Sequence, residues 1–151
     1  MNSRNSVERG VLGTLGQLIL SLSMCLTAHA GTTSPTECPN LQPRFPSAHV
    51  SIVEIRDLFT EVTGRAGTRC REFGRYQVQC DAESQAEVWI FTLPGHPAYP
   101  AVSRGEIRKF GALLCILRDG YFAGDEPAFA AWLGDLTTYD KQVINRFRQS
   151  L

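Results

Sequence analysis

Four cysteines after a secretory signal constrain the fold of this chain more than any other feature. The first thirty residues have basic residues near the start, an apolar run from 11 to 26, and small residues at Ala28 and Ala30. This pattern predicts cleavage after Ala30 and export to the periplasm. An even number of cysteines in an exported domain predicts two disulfides. The cysteines are Cys38, Cys70, Cys80 and Cys115.

Cys25 offers an alternative processing site, at which the cysteine would carry a lipid anchor, because it follows the apolar run as the cysteine of a lipoprotein signal does. Met24, directly before it, is bulkier than the small residue that lipoprotein processing requires. We therefore favour cleavage after Ala30 over a lipid anchor. The apolar run is shorter than the roughly 20 residues of a membrane span, so we expect no stable insertion into a membrane.

The pairing of the cysteines depends on the hairpin that Cys70 and Cys80 flank. A two-residue turn at Gly74 and Arg75 would set Cys70 opposite Gln79 and turn Cys80 to the other face. A bulge in the hairpin would change this register. The pairing that the two-residue turn favours is Cys38 with Cys70 and Cys80 with Cys115.

Charge and composition argue against several classes of protein. The chain has 15 basic and 15 acidic residues, and its net charge without the first thirty residues is about −1. A near-neutral domain lacks the electrostatic surface that binds nucleic acid. No Cys-x-x-Cys pair or Cys/His cluster is present, so we predict no metal and no other cofactor.

One stretch of the chain is locally basic. Its charges predict a solvated hairpin face or, as the alternative, a binding site for an acidic partner. The residues concerned are Arg65, Arg69, Arg71 and Arg75.

Hydrophobic periodicity predicts one α+β domain from 47 to 151, after an extended proline-rich leader from 31 to 46 that Cys38 fixes in place. Ser51 and Glu54 form a capping box, and Gly64 provides a helix stop. The apolar side of this helix is predicted to be core. It consists of Ile52, Ile55, Leu58, Phe59 and Val62.

The next fifty residues change to strand-like runs, which predict a largely antiparallel sheet of four to five strands. The run from 112 to 118 is continuously apolar, so we expect it at the centre of the sheet, ended by a turn at Asp119 and Gly120. Two helices should follow, one from Asp125 to Gly134 and one from Thr137 or Thr138, and the helices should cover one face. The other predicted strands are 69–73, 76–80, 87–93 and 102–110.

The stretch TLPGHPAYPAV, from 92 to 102, is the best candidate for a binding site. Its first half has Pro then Gly at the middle of a type II turn. His96 and Tyr99 each precede a proline, which favours polyproline conformation, and three residues per turn would place both rings on one ridge and Pro97 and Pro100 on the next. A stiff loop loses little entropy on binding. The alternative is a structural bridge between strands, with Tyr99 packed on the sheet.

Catalytic motifs are missing from the sequence. There is no G-x-S-x-G elbow, and disulfides account for the cysteines. His49 precedes the first helix and is expected at the surface. An acid-base site would require His96 to meet a carboxylate such as Asp119 or Asp125 in a pocket.

Two segments, HPAYPAVSRGEI (96–107) and GYFAGDEPAFAAWL (120–133), resemble segments of small exported proteins of Gram-negative bacteria. In those proteins a His-Pro-Ala segment precedes a basic strand, a Gly-aromatic turn and a short helix that contains Trp. The resemblance extends over 92–133, about a third of the exported chain. It implies export and an α+β order, and it implies no activity or site residues.

These features predict a small non-enzymatic interaction protein of the periplasm. It would bind another envelope or secreted protein through the proline-rich loop, as an inhibitor or an immunity factor does. The alternative is a periplasmic enzyme for cell-wall material or a small molecule, with His96 as its acid or base. A ligand carrier or accessory subunit is a third possibility, and an apolar cavity would favour it.

Overall fold

A computed structural model describes residues 38–39, 41–82 and 86–149. The predicted signal peptide and residues 31–37 and 40 of the leader lie outside these residues. In chain order the elements are α1 (Ile52–Gly64), β1 (Thr68–Glu72), β2 (Gln77–Ala82), β3 (Glu87–Thr92), β4 (Ala101–Phe110), β5 (Leu113–Phe122) and α2 (Glu126–Gln149). The five strands form one antiparallel sheet in the order β1 to β5, so the predicted α+β class is confirmed.

The capping box at the start of α1 is confirmed. The Glu54 amide donates to the Ser51 hydroxyl at 3.2 Å, and the Ser51 amide donates to the Glu54 carboxylate at 2.7 Å. These bonds provide partners for two amide groups that the first turn of a helix leaves unpaired. The helix therefore begins where the sequence predicts.

The apolar side of α1 is only partly core. Ile55, Leu58 and Val62 are buried against the sheet, as predicted. Ile52 and Phe59 lie at one margin of the apolar stripe, and they are 54% and 36% exposed. The stripe is wider than the surface that the sheet covers.

The β1–β2 hairpin places Cys70 directly opposite Cys80, and a disulfide joins them. The loop has three residues rather than the predicted two, because the Phe73 amide donates to the Gln77 carbonyl at 3.0 Å. Tyr76 takes the left-handed conformation, with φ of 59°, that closes a three-residue loop. The additional residue shifts the register by one, so the predicted cysteine pairing is wrong.

The second disulfide joins Cys38 to Cys115 of β5, 77 residues away in sequence. It holds the leader on the sheet, as predicted, but through another partner. Further along, the Phe122 amide donates to the Ala48 carbonyl and the Val50 amide donates to the Phe122 carbonyl, both at 2.9 Å. The short segment between the leader and α1 thus pairs with the end of β5.

The position and length of β5 differ from the prediction. The strand lies at the edge of the sheet and continues through Asp119 and Gly120 to Phe122. Its run of apolar residues reflects cover on both faces, by the leader disulfide at Cys115 and by α2. Gly120 lies within the strand and not in a turn. Its lack of a side chain leaves room for the Phe129 ring of α2, since a Cβ there would lie 3.0 Å from that ring.

The two helices lie on opposite faces of the sheet, so the predicted placement of the helices on one face is wrong. Alternate strand residues point to opposite faces, and both sets are apolar. The α1 face buries Val50, Ile55, Leu58, Val62, Cys80, Trp89, Phe91, Val102 and Tyr121. The α2 face buries Ile90, Ala98, Ala101, Phe122, Phe129, Trp132 and Leu136.

The C-terminal segment is one helix of 24 residues rather than two helices. Gly134 is exposed with no atom near its Cβ position, so it costs the helix only about 1 kcal/mol. The Thr137 and Thr138 hydroxyls donate to carbonyls four residues earlier, at 2.8 and 3.0 Å, instead of capping a new helix. The buried face continues through Leu136 to Asp140.

A buried ion pair holds the second half of α2 on the sheet. Asp140 accepts hydrogen bonds from Arg118 Nε at 2.6 Å and from Arg118 Nη2 at 2.7 Å. Both side chains are more than nine-tenths buried. Arg118 Nη1 also donates to the Ser103 hydroxyl at 3.0 Å, so each end of the guanidinium has a partner.

The disulfide pairing can be tested by peptide mapping. Trypsin cleaves after Arg71 and Arg75, between the two hairpin cysteines. We expect the peptides that contain Cys70 and Cys80 to stay joined until reduction, because the strands hold these residues opposite each other. Mass spectrometry before and after reduction provides the measurement. A peptide that joins Cys38 to Cys70 would contradict the three-residue loop.

Removing one partner of the buried ion pair should strongly destabilise the fold. Asp140→Ala leaves the Arg118 charge buried without its carboxylate, so we expect a loss of about 3–5 kcal/mol in the free energy of unfolding. Urea denaturation with intact disulfides measures this loss. The double variant Arg118→Met/Asp140→Leu is the control and should recover most of it. A loss below about 1 kcal/mol, typical of an exposed pair, would contradict the structure.

Candidate functional site

The proline-rich loop between β3 and β4 consists of two consecutive hydrogen-bonded turns. The His96 amide donates to the Leu93 carbonyl at 3.0 Å, and Gly95 has φ of 100°, as the predicted type II turn requires. The Tyr99 amide then donates to the His96 carbonyl at 3.0 Å. Because polyproline helices have no internal hydrogen bonds, the predicted polyproline conformation after Gly95 is wrong.

The two turns separate His96 from Tyr99. The His96 ring meets Trp132 of α2 edge-on, with 5.7 Å between the centroids. Tyr99 instead faces α1 and is 38% exposed. Burial lowers the pKa of His96, which favours the neutral ring, and Nδ1 accepts a hydrogen bond from the Ala98 amide at 3.1 Å. The predicted common ridge is therefore not formed.

His96 meets neither carboxylate that the alternative acid-base site would need. Asp119 points to the α1 face of the sheet, where it bonds Arg104, whereas His96 contacts α2 on the other face. Asp125 Oδ1 accepts from the Ala128 amide at 2.8 Å and so caps α2, as predicted. His96 therefore forms no acid-base pair with Asp119 or with Asp125 in this structure.

Several contacts fix the loop at its base and along its length. The Thr92 hydroxyl accepts from the Ala101 amide at 2.8 Å and donates to the Ala101 carbonyl at 3.0 Å. The Leu93 amide donates to the Tyr76 carbonyl at 2.8 Å. The Tyr76 ring also covers Gly95, where a Cβ would approach it within 3.2 Å. The β1–β2 turn thus supports the proline-rich loop.

A groove lies between α1 and the Tyr99 side of the loop, and we call it the α1–loop groove. Its volume is about 180 Å³ and its lining is mostly apolar. Phe59 and Phe91 meet edge-to-face within it, with 4.9 Å between their centroids. The lining residues are Ile52, Ile55, Arg56, Phe59, Phe91, Thr92, Leu93, Pro94, Tyr99 and Pro100.

The size of the groove suits one ring. A cavity of roughly 150 Å³ lined by aliphatic and aromatic side chains holds a benzene molecule, so this groove can accept one aromatic or branched apolar side chain. Of the four predicted binding residues, Tyr99 and Pro100 line it. His96 and Pro97 do not.

The sequence does not identify the helical side of the groove, because the helical periodicity of α1 predicts these residues to be core. Ile52 and Phe59 extend the apolar stripe of α1 beyond the three residues that the sheet buries. A stripe that is wider than one packing face is the signal that could have identified them.

A larger, polar cavity of about 760 Å³ lies between the leader and strands β3 to β5, and we call it the leader cavity. Glu87 and Glu106 stand directly opposite each other in its wall, where like charges repel. Arginines offset this repulsion: Glu87 pairs with Arg65 at 3.2 Å and with Arg104 at 3.7 Å, and Glu106 pairs with Arg108. The charges of this wall therefore compensate one another.

Asp119 completes the network beneath the leader cavity. Its Oδ2 accepts hydrogen bonds from Arg104 Nη2 and from the Tyr121 hydroxyl, each at 3.1 Å. Arg104 Nη2 also donates to the Gln42 carbonyl at 3.0 Å, which ties the leader to the sheet. Burial raises the pKa of Asp119 although Arg104 opposes the shift. These bonds join the leader to the sheet, and Arg104 Nε and Asp119 Oδ1 are buried without a hydrogen-bond partner among the described residues.

No protein-family model matches the chain, and neither a curated protein nor a solved structure matches it significantly. No helix in the described part of the chain is long and apolar enough to cross a membrane. Residues 38–39, 41–82 and 86–149 also hold no group of three or more side chains that could ligate a metal ion. The similarity of 92–133 to exported Gram-negative proteins stays a prediction.

The raised pKa of Asp119 predicts a pH dependence. Folding favours the protonated form, so the stability from this group is present at acid pH and is lost as pH rises through its folded pKa. The difference in free energy of unfolding between wild type and Asp119→Asn should therefore shift in favour of wild type as pH falls from about 7 to about 4. Urea denaturation at both pH values, with intact disulfides, measures it.

Glu54→Gln is the control, because bonds from Ser51 lower the pKa of Glu54. The sign reverses for a lowered pKa, and the wild-type advantage over Glu54→Gln should shrink as pH falls. The same direction for both variants would show that Arg104, rather than burial, controls Asp119.

Proposed function

We propose that this chain is a small non-enzymatic interaction protein of the periplasm that binds another envelope or secreted protein, as an inhibitor or an immunity factor does. The α1–loop groove is the observation that carries the proposal. A helix margin and a fixed loop leave apolar side chains exposed around a recess for one ring. The two disulfides are consistent with an oxidising compartment outside the cytoplasm.

The exposed side chains of the groove form a continuous patch. Ile52, Phe59 and Tyr99 are all more than a third exposed, and all three line the same recess. Single apolar residues on a surface are ordinary, whereas a contiguous patch with a concave centre is typical of a protein-binding site.

The loop side of the groove is organised before any partner arrives. Two turns and the Thr92–Ala101 bonds fix the backbone that presents Tyr99 and Pro100. Binding then costs less conformational entropy than it would for a flexible loop. Burial of one large apolar side chain from the partner contributes about 1.5–3 kcal/mol.

The lining also indicates which chemical group of the partner lies next to its anchor, the apolar side chain that enters the recess. Arg56 is the charged residue of the groove, and no carboxylate pairs with it within 38–39, 41–82 and 86–149. An acidic group near the anchor would complement this guanidinium. The expected partner therefore presents an aromatic or branched apolar side chain with a carboxylate next to it.

Capture from a periplasmic extract of the source cells tests the groove. Wild type and the matched control Ile107→Ser should retain the same partner, because Ile107 is 43% exposed but lies outside the groove. Ile52→Ser/Tyr99→Ser should lose that partner, since both changes place a hydroxyl in the apolar lining. Capture that is equal for all three proteins, or absent for all three, would overturn the proposal.

A defined probe tests the recess directly. We expect p-cresol, which resembles a tyrosine side chain, to shift the NMR signals of Phe59 and Tyr99 in wild type and in Ile107→Ser. In Ile52→Ser/Tyr99→Ser the Tyr99 signal is absent. There we expect p-cresol to leave the Phe59 signal unshifted. Shifts that are located outside the groove would show that the recess does not accept a ring.

A further inference from the structure

The two edges of the sheet differ in how they are covered. At the β5 edge, residues 48–50 pair with the strand end, and α2 and the leader line a cavity beside the strand. At the other edge, β1 pairs only with β2 among the described residues. Four of its five residues are exposed. Within the described residues, the β1 edge is thus the open side of the sheet.

The hydrogen-bond pattern shows which groups β1 presents there. The Phe73 amide donates to Gln77, and paired residues of an antiparallel ladder alternate between bonded and non-bonded pairs. Arg69 and Arg71 therefore point their backbone groups toward β2. Cys70 and Glu72 point theirs outward, and no described residue bonds them. This spacing of two residues is the one that an added strand requires.

The charge of the open edge is basic. Arg71 is 64% exposed even though it bonds Asp81 at 2.8 Å, and Arg75 lies over the Tyr76 ring at 4.8 Å. Arg69 is exposed, and it has no carboxylate partner in the described part of the chain. These guanidinium groups favour an acidic neighbour over a neutral or basic one.

The same charges disfavour a second copy of this chain. Antiparallel self-pairing centred on Cys70 would set Arg69 of one copy opposite Arg71 of the other. Centring it on Arg71 would set two copies of that residue opposite each other. Like charges in directly opposite positions destabilise a strand pair, so β1 resists pairing with itself.

We propose that the β1 edge binds an extended acidic segment of another protein, which adds to the sheet as a sixth strand. The outward backbone groups of Cys70 and Glu72 bond the backbone of the segment, and its acidic side chains face Arg69 and Arg71. This site is separate from the α1–loop groove, so either site can fail without the other.

Hydrogen exchange with two synthetic peptides tests the proposal. One peptide of eight residues alternates glutamate and valine, and its matched control alternates lysine and valine. We expect the glutamate peptide to slow exchange of the Cys70 and Glu72 amides by about tenfold or more, as strand addition does. The lysine peptide should have no effect. Equal protection by both peptides, or by neither, would overturn the proposal.

Two substitutions at Glu72 separate backbone bonding from charge. Glu72→Pro removes the outward amide but no bond to β2, and proline is tolerated at such edge positions. Glu72→Ala removes only the carboxylate. We expect the glutamate peptide to bind Glu72→Ala at least as tightly as wild type and Glu72→Pro about tenfold more weakly. Equal affinity for the two variants would exclude strand addition, and thermal unfolding confirms that both are folded.

The arginines provide the complementary test. Arg69→Glu should abolish the preference for the glutamate peptide, because the new carboxylate offsets the charge of Arg71 beside it. Arg146→Glu is the control for overall charge, because this residue lies at the end of α2, and it should keep the preference. A loss of the preference in both variants, or in neither, would show that Arg69 does not face the bound segment at β1.

Discussion

The buried pair of Arg118 and Asp140 sets the position of the long C-terminal helix, and the loop geometry depends on that helix. Desolvation of two charges is costly, and it is offset here by two short bonds to the carboxylate and by the bond to Ser103. With α2 fixed along its axis, Trp132 bonds Gln77 at 2.9 Å and meets His96. One side of the proline-rich loop therefore rests on α2, which leaves the Tyr99 side to face α1.

Local signals in the sequence predicted local structure well. The capping box, the type II turn, the Asp125 cap and the presence of five strands all depend on neighbouring residues, and all are found. Errors arose where the outcome depends on distant parts of the chain. One extra hairpin residue changed the disulfide pairing, and Gly134 did not end a helix because the distant Arg118 pairs with Asp140 beyond it. Periodicity also cannot tell which face of a sheet a helix covers.

The candidate site was predictable on one side only. Proline spacing predicts a stiff loop because prolines restrict the backbone whatever surrounds them. It did not predict the direction of each ring, because the second turn depends on a bond between His96 and Tyr99. On the α1 side, helical periodicity predicts Ile52 and Phe59 to be core residues. Only the width of the opposing sheet decides that they stay exposed.

The stability of the domain and its exposed surfaces arise in different parts of the molecule. Disulfides fix the β1–β2 hairpin and join the leader to β5, and the Arg104 network closes the leader onto the sheet. Constraints of this kind let a small domain fold without burying every apolar side chain. Side chains at the margin of α1 and along β1 therefore stay exposed in a domain that is held together elsewhere. A domain with these supports can leave both surfaces open, and their chemistry differs, since one is apolar and concave and the other is basic and extended.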